Sequence, residues 1–135
     1  EIKRFDVKGK AELKTLAKYY IVDIGLRNYL LGYRDVDTGH IIENIVYFEL
    51  LRRGFDVAVG KVGEKEIDFI ATRDDVKIYY QVTDDMTAES TRERELAPLK
   101  AVRDNYEKVV IAMSTNSTAS VEGIKIVRLI DFLIE

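Results

Sequence analysis

The sequence predicts one α/β domain with a mixed sheet and helices packed on it. Three observations predict this class. A stripe of Ile41, Ile42, Ile45, Val46, Phe48 and Leu51 repeats at helical spacing between about His40 and Arg53. Three runs of strand character follow it: Phe55–Val59, the alternating Glu66–Ala71, and Lys77–Thr83. A charged helix and two further strand runs complete an order of helix, three strands, helix, strand, strand, which calls for a mixed sheet covered by helices.

From the start, residues 1–18 are polar with scattered apolar side chains and read as a lead-in. Tyr19–Asp23 is short and apolar, and Gly25–Leu31 has helical character. Asp23 and Arg27 stand four apart and can pair across one turn. Residues 1–32 are read as a lead-in segment ahead of an α/β domain at 33–135. The chain opens on Glu1 rather than Met, so the natural start is expected upstream.

Asp37-Thr38-Gly39 offers a turn and a helix cap, and Gly54 a helix stop. Arg73-Asp74-Asp75 is the turn of a hairpin whose second strand, Lys77–Thr83, is rich in β-branched and aromatic residues. Ser90-Thr91-Arg92-Glu93 has capping-box form and opens a helix to about Asp104, with Pro98 as a kink or division. Lys108–Met113 is a buried-strand run, Ser114–Ser120 a mobile loop, Ile124–Leu129 a strand and Ile130–Ile134 a terminal apolar segment.

Composition narrows the function. The chain has 135 residues, 47% hydrophobic and 33% charged, which is ordinary for a globular domain. It has no cysteine, so disulfides and thiolate metal sites are excluded. A reducing, cytoplasmic setting is the expectation. The net charge of −3 counts against strong autonomous DNA binding, which phosphate neutralisation drives. Gly60-Lys61-Val62-Gly63 lacks the Gly-Lys-[Ser/Thr] ending of a phosphate-binding loop, so ATP hydrolysis is not expected of this chain.

The segment that carries chemistry is Glu66-Ile67-Asp68 with Lys77 through Gln81 to Thr83. Residues two apart on a strand share a face, so a hairpin brings two polar edges together beside the helix that bears Glu43. Converging carboxylates and amides are the hard oxygen donors that Mg²⁺ requires. An Asp on one strand, a Glu or Gln on the next, one residue and then a Lys, with a Glu on the preceding helix, is the pattern of the PD-(D/E)XK nuclease superfamily. The segment resembles it at Glu43, Asp68 and Gln81. Thr83 stands where the lysine belongs, and a hydroxyl carries no positive charge. The resemblance implies a restriction-endonuclease-like mixed sheet flanked by helices. It implies a degenerate catalytic set of Asp68, Gln81 and Thr83, with Lys77 as a stand-in, or Arg92 or Arg94. Glu43, Asp68 and Gln81 hold Mg²⁺ only if that site is active.

A second resemblance covers nearly the whole chain. Tyr19–Asn28, Glu43–Val57, Glu66–Phe69, Thr91–Glu95, Asp104–Tyr106 and Ile130–Leu133 are similar, in order, to the C-terminal domain of a family of prokaryotic AAA-type ATPases. It implies an ATPase module upstream, where alone ATP binds. The expected function is a non-catalytic accessory domain with no cofactor of its own. It would bind the ATPase module of its own polypeptide, another protein or nucleic acid, and no membrane. A Mg²⁺-dependent nuclease acting on DNA or RNA is the alternative, and an oligomerisation element a third reading.

Simpler roles stand beside these. Asp68 serves equally as a solvated strand carboxylate, and Glu43 as a flank of its helix stripe. Glu49 with Arg52 or Arg53 reads as a surface ion pair, and Arg52, Arg53 and Lys61 as solvated cations. His40 is alone, and Tyr79 and Tyr80 read as strand packing. Asn116-Ser117-Thr118 has the form of a glycosylation sequon.

Overall fold

The computed structural model describes residues 1–32, 38–116 and 118–135. Asp37 of the expected cap and Ser117 of the sequon lie outside the described residues. The α/β class is observed: a seven-stranded mixed sheet in the order β2-β1-β3-β4-β5-β6-β7, with helices on both faces. The elements are β1 (Ile2–Asp6), β2 (Ala11–Lys18), α1 (Ile24–Leu31), α2 (Thr38–Arg52), β3 (Asp56–Val62), β4 (Lys65–Arg73), β5 (Val76–Asp85), α3 (Glu89–Lys100), β6 (Glu107–Ser114), β7 (Lys125–Arg128) and α4 (Leu129–Ile134). No helix among the described residues is long and apolar enough to cross a membrane.

β3, β4 and β5 form an antiparallel meander. The chain then crosses over through α3, and β6 lies parallel to β5 with β7 parallel to β6. The lead-in reading of residues 1–18 is corrected. They form β1 and β2, and β1 pairs parallel with β3, so the sheet runs across the expected boundary at 32/33. A parallel partner more than 50 residues away leaves no local sequence signal.

Strand alternation divides the core in two. Phe69, Ala71, Tyr80, Val82 and Ile111 face α2, where Ile42, Val46 and Leu50 are buried, and Phe132 of α4 joins them. Ile70, Tyr79, Val110 and Ala112 face α3 through Leu96 and Leu99. Of the α2 stripe expected from helical spacing, Ile42 and Val46 are buried, Ile41, Ile45 and Phe48 are half-buried and Leu51 is exposed; Tyr47 and Leu50 complete the buried face instead. Gly54 ends the helix at a φ of 80°. The capping box at Ser90 is not used: α3 begins at Glu89, and its cap position, Ala88, makes no side-chain bond. Pro98 sits in the last turn of α3, which ends at Lys100, short of the expected Asp104. The terminal apolar segment is helical, as α4.

One irregularity shapes the site. Ala58 and Gly60 of β3 oppose Ile70 and Ile67 of β4, so β4 carries one extra residue there. Ile67 and Ile70 consequently face the same α3 side although three apart. Gly60 accommodates the bulge; a Cβ there would lie 3.0 Å from the Cβ of Ile67.

Leu50 is fully buried where α2 meets the sheet. Leu50→Ala is expected to lower the unfolding free energy by about 2–5 kcal/mol in urea titration, through lost transfer energy and a residual cavity.

Candidate functional site: a buried carboxyl where two strands part

The ladder between β4 and β5 ends at the pair Phe69 and Tyr80. Beyond it the bulge turns β4 away, and the N–H of Val82 on β5 loses its strand partner. The Asp68 carboxylate takes that place: Val82 N donates to Asp68 Oδ2 at 2.8 Å. Gln81 fills the same gap from the other strand, its Oε1 accepting from Asp68 N at 3.4 Å and its Nε2 donating to Glu95 Oε2 at 3.4 Å. Asp68, Gln81, Thr83 and Glu95 are all buried.

A cation from β2 enters the same cluster through Glu43 and Glu66. Lys18 Nζ lies 2.7 Å from Glu43 Oε2 and 3.5 Å from Glu66 Oε1. Arg4 of β1 pairs with the other oxygen of Glu66 at 3.1 Å. Tyr20 donates its hydroxyl to Glu43 Oε2 at 3.1 Å, and its ring stacks on Tyr47 at 4.6 Å between centroids. Asn44 fixes this stretch of chain. Its side chain accepts from Ile21 N at 2.9 Å and donates to Ile21 O at 2.8 Å, clamping the segment to α2. Glu43 and Asn44 are adjacent on α2, so one helix turn sets both the clamp and the counter-ion.

The charges act on one another. Burial pushes the Asp68 carboxyl up to about 7, the negative Glu43 and Glu95 add to the rise, and the Val82 N–H and Lys18 oppose it. Burial pulls the Lys18 ammonium down, yet the hydrogen bond and charge of Glu43, with Asp68 and Glu66, carry it above its usual range. Burial and the nearby Glu43 raise the Tyr20 phenol, which stays protonated and donating at neutral pH.

The sequence-derived set is brought together in part. Glu43, Asp68 and Gln81 converge on this region. Thr83 spends its hydroxyl on the Asp85 carbonyl at 3.3 Å. Lys77 stands four residues before Gln81 on β5, about 13 Å along an extended strand. Its ammonium lies over the rings of Tyr79 and Tyr106, 5.1 Å from each centroid. Arg94 pairs with Glu95 at 2.8 Å, and Arg92 reaches the Met86 carbonyl at 3.4 Å. The cation at the site is Lys18, which sequence reasoning missed because its only signal is a non-local pairing. The Glu49 pair is also more than a surface contact. Glu49 is buried, Arg52 and Arg53 both bind it at 2.7 Å, and these bonds hold its carboxyl down at about 2. Arg53 also lies over the Phe132 ring at 4.2 Å and donates to its carbonyl, tying α4 to α2.

Mg²⁺ does not fit this arrangement. Asp68 Oδ2 holds a backbone N–H, Glu43 Oε2 holds an ammonium and a phenol, and Gln81 faces an N–H. Among the described residues no three His, Cys, Asp or Glu side chains gather closely enough to hold a metal ion.

No family model matches the sequence, and no solved structure matches it. An uncharacterised protein of Haemophilus influenzae is 41% identical over 133 residues. That match takes in 98% of this chain and 32% of the relative, so the chain spans about a third of the relative's length.

The Asp68 carboxyl has a testable signature. Between 3.8, its unfolded value, and about 7, the folded chain keeps a proton that the unfolded chain has released. Stability therefore falls as pH rises through this window and levels above it. Asp68→Asn keeps an acceptor for Val82 N–H without the charge. It is expected to flatten this component of the slope and raise the unfolding free energy at pH 8 by about 1–3 kcal/mol, read from urea titrations across pH.

Proposed function

We propose that this chain is a non-catalytic accessory domain of a longer AAA-type ATPase, working in the cytoplasm, with a nuclease-like site in which a protein cation holds the place of a metal. One observation carries the reading: the Lys18 ammonium sits 2.7 Å from Glu43 and 3.5 Å from Glu66, with Asp68 in its field. A divalent ion at the same carboxylates would have to displace that ammonium and repel it at close range.

Several features support this. The order α2, β3, β4, β5, α3, β6 sets Asp68 on the middle strand of the meander and Gln81 on the next, as the nuclease resemblance implies. The groups that activate water in such a site are committed elsewhere: Thr83 to a backbone carbonyl, Gln81 to Asp68 and Glu95. The buried hydrogen bonds among Asp68, Gln81, Val82 and Glu95 favour one rigid arrangement, which suits a binding scaffold. The net charge of −3 favours a protein partner, foremost the ATPase module of the same polypeptide, over nucleic acid.

A Mg²⁺-dependent nuclease is the second reading, and one observation favours it. Lys18, bound to Glu43 and Glu66, supplies from β2 a positive charge that acts on Asp68, where the motif at Thr83 has none.

Calorimetric titration with Mn²⁺ separates the two. The accessory reading expects no specific binding in the chain or in Asp68→Ala. Stoichiometric binding that disappears in Asp68→Ala would replace it with the nuclease reading.

A further inference from the structure

α1 is a helix that the fold leaves almost uncovered. None of its eight residues is buried. Every other helix contributes side chains to a core. Ile24, Arg27 and Leu31 line a cavity toward Ile41 and Glu43 of α2. Val22, Leu26, Tyr29 and Leu30 follow helical spacing along another stripe. Val22 is 84% exposed, Tyr29 86% and Leu30 67%, and Tyr19 beside them is 73% exposed. Contiguous exposed apolar side chains on one helix face mark an interaction site.

We propose that the face formed by Tyr19, Val22, Leu26, Tyr29 and Leu30 docks a second folded module of the same polypeptide, one presenting an apolar, largely uncharged surface. The proposal deepens the accessory-domain reading and rests on it. The length of chain available identifies the occupant. About two thirds of the Haemophilus influenzae relative lies outside the match, so such a polypeptide carries other parts able to cover this face. The chemistry identifies the kind of contact. Residues 19–32 hold only Asp23 and Arg27 as charges in a chain that is 33% charged. Asp23 is already engaged, its Oδ1 accepting from Leu26 N at 2.8 Å. Recognition therefore rests on apolar burial.

The position gives docking a route to the site. The Ile21 backbone is clamped by Asn44, and Tyr20 and Lys18 lie one and three residues before it, both bound to Glu43. A module seated on α1 thus bears on the strand end that carries the resident cation.

Hydrogen–deuterium exchange on the intact Haemophilus influenzae relative, against its matched third alone, tests the proposal. The peptide matching residues 24–31 is expected to exchange at least 10-fold more slowly in the intact protein. Glutamates at the positions matching Tyr29 and Leu30 should remove that difference. In the present chain, Tyr29→Glu with Leu30→Glu should leave the melting temperature within about 2 °C, since both side chains are largely exposed. Equal exchange in both forms of the relative overturns the proposal. So does a dimer of the present chain, seen by light scattering, that these glutamates dissolve, because the face then belongs to a second copy. Slow exchange together with Mn²⁺ binding would sink the accessory reading and leave the docking face standing. Equal exchange without Mn²⁺ binding removes the docking face alone.

Discussion

The arrangement depends on a carboxylate doing the work of a strand. β4 leaves β5 after Phe69, and without a substitute the Val82 N–H would be buried with no acceptor, a loss of about 1–3 kcal/mol. Asp68 supplies the acceptor, but at a cost, because its own charge is then held away from water. Lys18, Glu43, Tyr20, Gln81 and Glu95 are best understood as the groups that make such a buried charge tolerable.

That need links distant parts of the chain. Lys18 comes from β2, Glu43 from α2, Glu66 and Asp68 from β4, and Glu95 from α3. Asn44 locks the end of β2 against α2, so the ammonium is held at the cluster rather than left to solvent. A half-buried pair of this sort contributes when its geometry is fixed and its partners are satisfied, and becomes a liability when either partner is removed. A network that draws on both faces of a mixed sheet therefore makes the edge strands part of the domain rather than an attachment to it.

Much of this was legible in the residues. The α2 helix, the Gly54 stop, the hairpin of β4 and β5, and the convergence of Glu43, Asp68 and Gln81 follow from periodicity and turn chemistry, whereas the burial of Tyr47 and Leu50 on α2 does not. Residues 1–18 misled because their pairing with β3 spans more than 50 residues and their own alternation is weak. For the same reason Lys18 went unseen, and Lys77, two residues from Tyr79 on the same strand face, looked like the nearer substitute. Its place over aromatic rings is a packing outcome that spacing does not reveal. The Ser90 box failed because the helix begins two residues earlier than a Ser90 cap requires, at Glu89 with Ala88 as cap. Glu49 was underestimated since its burial is a packing outcome that spacing does not reveal.

The claim that Lys18 is the resident cation of the site is tested most directly by a double-mutant cycle. Lys18→Met, Glu43→Gln and the combined variant would be unfolded in urea at pH 7.5. The account predicts a favourable coupling of about 1–3 kcal/mol, as expected for partners in one network. A coupling below about 0.3 kcal/mol, the level of an exposed pair, would contradict it.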